Sequence, residues 1–498
     1  MKNQILSVLG MTLLFSSCQN TPTVTEWVAT TYDAPWQTVS IDQLSYDAAE
    51  STVIINPAMT AQAVEGFGTC FNELGWTSLS LLDEETRATI FHEMFAPGVG
   101  GNFTICRMPV AANDFAIDYY SYNDTEGDFG MENFSIDNDR KTLIPFIKSA
   151  LKENPDIKLW ASPWCPPSWM KWNKHYASQS TSALYRKHKA ALEANTQARQ
   201  SGEETFMARL VDNGLPEDRQ AFEGADAFIQ EDAYLKAYAL YFQKFIEAYR
   251  AEGINIFGVM PQNEFNSDQP YPSCCWTLES LVNFMGKYLG PAMDEVGVEL
   301  MYGTVERPRE TMVDSIMNDP DCMKYIRRIG FQWGGKDALV YAEQKYPQMK
   351  FLQTEQECGN GKNDWQGASH AFDLMVHYFG HGVSIYEYWN TSLLEGGFSR
   401  WGWSQNSLVT VSEADRTFKF TPEYYVLKHA SHYVLPGAVR IVLDGSYTDA
   451  LCFKNLDKSI VLLVQNKEKE EKQVTINVDG TTFTPALAAE SVNTFIIK

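Results

Sequence analysis

Between Gln62 and about Pro422, short apolar runs alternate with longer stretches of helical periodicity. No other feature restricts the possible folds as much. Eight runs have strand length: Gln62–Gly68, Asn102–Arg107, Ile157–Ser162, Asn255–Met260, Val298–Gly303, Arg328–Gln332, Lys350–Glu355 and Val383–Tyr388. Helical patterns lie between them, clearest over Ala233 to Arg250, where apolar residues recur at helical spacing. Eight strands, each followed by helix, predict an α/β fold of the (β/α)8 TIM-barrel type. The chain is long enough to bury such a body, with 498 residues and 44% apolar content.

The two ends read differently. After about Thr421 short strands separated by polar turns return: Val439–Leu443, Asp449–Lys454, Ile460–Gln465, Gln473–Val478 and Thr494–Ile497. Strand-like runs also occupy the stretch from about Thr38 to Pro57. Together they predict a side antiparallel β-sandwich built from both chain ends. Lys2, the short apolar stretch Ile5 to Phe15, and Ser16-Ser17-Cys18 form an export leader of bacterial lipoprotein type, with Cys18 as the lipidated residue. An ordinary secretory signal is the alternative. The expected boundaries are leader 1–18, tether 19–36, first sandwich strands 37–61, barrel 62–422 and C-terminal sandwich 423–498. The protein is then exported and membrane-anchored through lipid alone. One charged, Ala-rich segment, from about Lys187 to Gly224, is too long for an ordinary connection; it is either a solvated insertion or a wall that shapes the substrate site.

The net charge of −23 argues against nucleic acid and against anionic membrane surfaces as partners. Thirteen tryptophans suit a protein that covers sugar faces, although most indoles in any chain are packing. The cysteines show no metal-ligand spacing. Cys106 and Cys165 read as small core residues, and the adjacent Cys274 and Cys275 leave open a disulfide to a distant partner.

On a barrel, catalytic groups gather at the carboxyl ends of the strands. Those ends carry Arg107, Trp164, Asn263-Glu264, Gln332-Trp333, Glu355 and Trp389-Asn390. His clusters, a phosphate-cradling Gly loop and a Ser nucleophile elbow are missing from that set. Two carboxylates on different strands are what glycoside hydrolysis requires. Glu264 and Glu355 are separated by about three βα units of roughly 31 residues, which puts them on opposite sides of one barrel mouth. Glu264 is read as the acid/base and Glu355 as the nucleophile, with Arg107 holding Glu355 ionised and Asn263 reaching the sugar 2-hydroxyl.

The segments EGFGTCFNELGW (65–76), ICRMPVAANDFAIDYYSYND (105–124), WASPWCPPSWMK (160–171), MPQNEF (260–265), FLQTEQECG (351–359) and YWNTSLLEGG (388–397) resemble glycoside hydrolase family 30 across the whole barrel. That resemblance implies a TIM barrel with a side β-sandwich and a retaining enzyme that needs no metal and no cofactor. It implies double displacement on β-linked glucose, as a β-glucoside, a β-1,6-glucan or a glucosylceramide-like substrate. It carries Asp114 and Asp124 over as sugar contacts, and Trp164 and Trp389 as indoles lining the glucose subsite. Another β-linked sugar (xylan, fucoside or galactan) and a non-catalytic carbohydrate-binding lipoprotein are the alternatives.

Three places remain ambiguous. The family's nucleophile region reads Ser/Thr-Glu-x-Cys, but here Glu355, Gln356 and Glu357 precede Cys358, and the extra residue leaves Glu357 as a rival to Glu355. Gln332-Trp333 stands where better-known members carry His-Trp. Glu73 reads equally as a sugar ligand or a structural carboxylate.

Overall fold

The structure, a computed structural model, describes residues 21–46, 50–194 and 209–498. The leader with Cys18, and residues 195–208 of the long insertion, lie outside them.

The expected barrel strands form a closed parallel ring. They are β1 Gly66–Cys70, β2 Ile105–Pro109, β3 Lys158–Ser162, β4 Ile256–Val259, β5 in two pieces (Glu299–Leu300 and Tyr302–Val305), β6 Arg328–Gln332, β7 Lys350–Glu355 and β8 Val383–Asn390. Each pairs with its neighbours in chain order, and β8 returns to β1 through Ile385–Asn390 against Gly66–Cys70. The two pieces of β5 pair with β4 and β6 respectively, which completes the circle. All eight residues of β8 are buried, as expected of a strand packed on both faces. Inside the ring Ile105, Trp160, Met260, Met301, Leu352 and Ile385 form a plug. The barrel is therefore solid below its mouth, and any site must sit above. β1 crosses β2 so closely that a Cβ at Gly68 would lie 1.4 Å from the Ile105 carbonyl oxygen, so only glycine fits.

The helix expected over Ala233 to Arg250 spans Asp232–Ala251 and buries Leu235, Tyr238, Phe242, Phe245 and Tyr249 against the barrel. It continues the 3.6-residue pattern read from the sequence.

Three boundaries differ from expectation. The first barrel strand begins at Gly66, because Gln62 belongs to a longer strand, Val53–Ala63, paired antiparallel with Val439–Asp444 of the sandwich. The tether assigned to 19–36 contains a strand, Val24–Thr30, paired with the last strand, Ser491–Ile497. Val24, Trp27 and Val28 are buried there, and the Trp27 indole N–H donates to Asn493 at 3.0 Å. The Thr-rich composition suggested a linker; its burial comes from a partner at the far end of the chain. The barrel also extends past 422. Thr421 caps a helix, Pro422–Ser431, that packs on the barrel helix Trp365–Gly380, and the sandwich resumes only at Val439.

The sandwich is one curled nine-stranded sheet with a separate two-stranded ribbon, Lys472–Gln473 with Ala486–Leu487. It is antiparallel except where Val53–Ile55 runs parallel to Ile476–Val478. Trp27, Val53, Ile55, Ile441, Leu462, Ile476 and Phe495 fill its core. His429 ties the barrel-side helix to both chain ends, contacting Thr494 and Thr30 through its two ring nitrogens at 2.8 Å each.

Candidate active site

Arg107, the middle residue of β2, which runs two residues past the expected end at Arg107, organises the mouth. It is fully buried, and its guanidinium donates to Glu355 Oε2 (3.0 Å), Asn263 Oδ1 (2.7 Å), the Thr354 carbonyl (3.0 Å) and Ser162 Oγ (2.9 Å). Three indoles wall it in, with Cζ 4.5 Å from the Trp164 ring centre, 5.0 Å from Trp160 and 5.2 Å from Trp389. A buried cation needs this many acceptors and aromatic faces to be tolerated.

Glu355 ends β7 and is 5% exposed. Besides Arg107 it accepts the Trp333 indole N–H on Oε1 at 2.9 Å and the Gln332 amide on Oε2 at 3.2 Å. The same Gln332 nitrogen lies 3.1 Å from Glu264 Oε1 and 3.2 Å from Asn263 Oδ1. Its orientation is set from behind, because Gln332 Oε1 takes the Thr354 hydroxyl at 2.8 Å. One amide therefore spans the two carboxylates. Glu264 and Trp333 both sit in left-handed backbone, at φ 47° each, which is costly for residues other than glycine and characteristic of functional loops. The Glu264 turn is held by its own N–H donating to Thr304 Oγ1 at 2.9 Å.

Asn263, Glu264, Trp333 and Glu355 line a cavity of about 340 Å³ together with Asp114, Trp164, Ser267, Gln269, Tyr271, Glu306, Arg307, Trp403 and Gln405, with Arg107 and Gln332 bonded behind them. Acidic groups crowd it. Burial lifts the Glu355 carboxyl to about 7, with Arg107 pulling it down and the charge of Glu264 pushing it up. All three of its side-chain partners are N–H donors, so their bonds favour the ionised form. Asp114, 4% exposed with Oδ1 unpartnered, is raised well above the usual carboxylate range by burial and then by Glu355 and Glu264. Asn263 Oδ1 is occupied by Arg107, Thr304 and Gln332, while its Nδ2 has no partner among the described residues.

Most residues singled out by sequence meet here: Arg107, Asp114, Trp164, Asn263, Glu264, Gln332, Trp333 and Glu355. Trp389 is buried behind Trp164, the ring centres 5.1 Å apart, so it backs the indole wall. Asn390 is fully buried, accepting from Asn72 at 2.9 Å and donating to Gln405 Oε1 at 3.0 Å; it supports the wall through Gln405. Asp124 is not brought to the cavity. It is exposed and accepts from Ser121 and Tyr176, because the loop after β2 turns away past Tyr122. Glu357 also lies apart, bound by Lys336 (2.7 Å) and His370 (3.0 Å), which against burial hold it down at about 2. Glu73 is structural, accepting from the Ile117 N–H, Asn138 and Thr142. Cys274 and Cys275 are buried and unpaired, as are Cys106 and Cys165.

Glu306 was missed from the sequence, although it follows β5 directly as Glu264 and Glu355 stand at their own strand ends. Strand-end reasoning extended to the fifth strand finds it. Tyr271 and Trp403 come from irregular loops and carry no sequence signal.

A barrel mouth holding two facing carboxylates, an arginine and an indole wall defines a glycoside-hydrolase type of site. The chain belongs to glycosyl hydrolase family 30: it matches that family's TIM-barrel domain over residues 64–190 and 218–434, and its beta sandwich domain over 437–495. A Caenorhabditis elegans relative whose name presumes a glucosylceramidase is 27% identical over 441 residues, 83% of this chain and 75% of its own. Among solved structures, SrfJ from Salmonella typhimurium superposes with a TM-score of 0.79 at 21% identity, covering 95% of this chain and 98% of its own. The endo-β1,6-glucanase BT3312 does so at 0.74 and 23%, covering 95% and 99%. The protein is accordingly a β-glycoside hydrolase with a carbohydrate substrate.

Proposed function

We propose that this protein hydrolyses β-linked glucose with retention of configuration. Glu264, protonated, donates to the leaving oxygen; Glu355, ionised, attacks the anomeric carbon and forms a glycosyl ester. Glu264 then takes a proton from the incoming water, which displaces Glu355. Arg107, Gln332 and Trp333 hold Glu355 anionic and aimed, and the free Asn263 amide meets the 2-hydroxyl. The carrying observation is the Gln332 amide nitrogen bonded to both carboxylates. Those two oxygens are no farther apart than the two bonds laid end to end. That bound admits the roughly 5–5.5 Å carboxyl separation of retaining enzymes. The identity of the sugar rests on relatives with glucosylceramidase and β1,6-glucanase names.

NMR of early product from an aryl β-glucoside is expected to show the β-anomer. A 2-fluoro glucoside is expected to label the peptide ending in Glu355; label on any other carboxylate, or the α-anomer as first product, sinks the assignment. Glu264→Gln is expected to lose about 10²–10⁴-fold in kcat/KM on unactivated glucosides. For location, we propose export and anchoring through Cys18; Cys18→Ala is expected to move the protein from the membrane fraction to the soluble one.

A further inference from the structure

The half of the cavity beyond Glu264 carries side chains that the double displacement does not use. Glu306 is 1% exposed; its Oε1 accepts the Asn266 N–H at 2.8 Å, and its Oε2 has no partner among the described residues. Beside it Arg307 reaches the same cavity, and its guanidinium is fixed from outside. Glu223 Oε2 accepts Arg307 Nε at 3.3 Å and Nη2 at 3.2 Å, while its other oxygen takes Arg309 at 2.7 Å. Glu223 belongs to the long insertion after β3, so the described part of that insertion braces the rim of the cleft.

The order of strands orients the ligand. Asp114 and the two stacked indoles come from β2, β3 and β8, on one side of the ring. Glu306 and Arg307 come from β5, on the side beyond Glu264. An acid donates to the leaving oxygen, so with the glycone against the indoles the leaving group lies over β4 and β5.

We propose that Glu306 and Arg307 form a leaving-group subsite that binds the hydroxyls of a second sugar unit, so that the preferred aglycone is a saccharide and not an acyl lipid. This rests on the assignment of Glu264 as the acid. Burial, and then the charge of Glu264, lift Glu306 to about 8 against the pull of Arg307, so near neutrality it holds a proton that a hydroxyl can accept. An acyl chain would cover the Glu306 carboxyl without answering its free oxygen, which a buried polar atom penalises.

The test compares kcat/KM on a β1,6-linked glucosyl-glucose, on 4-nitrophenyl β-glucoside and on a short-chain glucosylceramide. Wild type is expected to prefer the disaccharide over the lipid. Glu306→Leu and Arg307→Ala are expected to lose about tenfold or more on the disaccharide and less than about threefold on the aryl glucoside, whose leaving group offers no ring of hydroxyls. Glu306→Gln, which keeps a donor, is expected to retain most of the disaccharide rate. Equal losses on both substrates, no loss on either, or a wild-type preference for the lipid overturns the subsite. A wild type that cleaves none of the three removes the glucosidase reading and the subsite with it. One that cleaves the aryl glucoside but gains nothing from the second sugar removes the subsite alone.

Discussion

Gln332 occupies a position where one nitrogen answers three oxygens, two of them on the carboxylates proposed as acid and nucleophile. Removing it strips a donor from Glu355 and leaves the repulsion between the two acids less compensated. Because the donor favours the charged form, its loss raises the proton affinity of Glu355. In the native protein the acid limb of kcat/KM is expected well above the roughly 4.3 of a free glutamate, since burial lifts Glu355 to about 7. Gln332→Leu is expected to move that limb up by about one further pH unit and to cost about tenfold at neutral pH. A pH–rate profile of the two proteins checks both expectations; an unmoved limb would show that Gln332 does not act through Glu355.

Among the elements, the strand Val24–Thr30 has the most to lose. Trp27 fills the sandwich core and its indole N–H answers Asn493. Trp27→Ala is expected to cost about 3–5 kcal/mol by cavity formation, measured by denaturant unfolding, and to leave Asn493 without that partner. This strand also marks what the sequence left illegible. β6 and β7 match their expected spans residue for residue, because each is a short apolar run with clear ends. Glu264 and Glu355 were legible for the same reason, standing at strand ends. Val24–Thr30 was not, since its pattern is half polar and its burial depends on residues 491–497. Asp124 misled because a motif shows sequence neighbourhood, while the turn that carries it away depends on the tyrosines packed beside it. The insertion around Glu223 was open to two readings until its bonds to Arg307 and Arg309 could be seen.

The whole molecule buries several carboxyl groups that hold protons more tightly when folded: Glu306 at about 8, Glu355 and Glu423 at about 7, and Asp139 at about 6, each raised first by burial. Unfolding releases those protons, so stability is expected to fall as pH rises from the ordinary carboxylate range through about 8. Glu65 and Glu357, against burial, are held at about 2 by basic partners, and their contribution is lost as pH falls below about 4.5. His429, lowered by burial to about 3, subtracts stability below its ordinary value of 6.5. The thermal midpoint is therefore expected to peak near pH 5 and decline on both sides, and a scan from pH 3 to 9 checks it; a maximum above pH 8 would contradict it. One consequence concerns manufacture. Val24–Thr30 has the short strand Gln37–Thr38 on one edge and Ser491–Ile497 along the other, with the Thr23 N–H donating to the Lys498 carbonyl at 2.9 Å. Residues 491–497 leave the ribosome long after residues 24–30, so a nascent chain carries this strand zipped along one flank alone until they emerge, and deleting them bares the other flank.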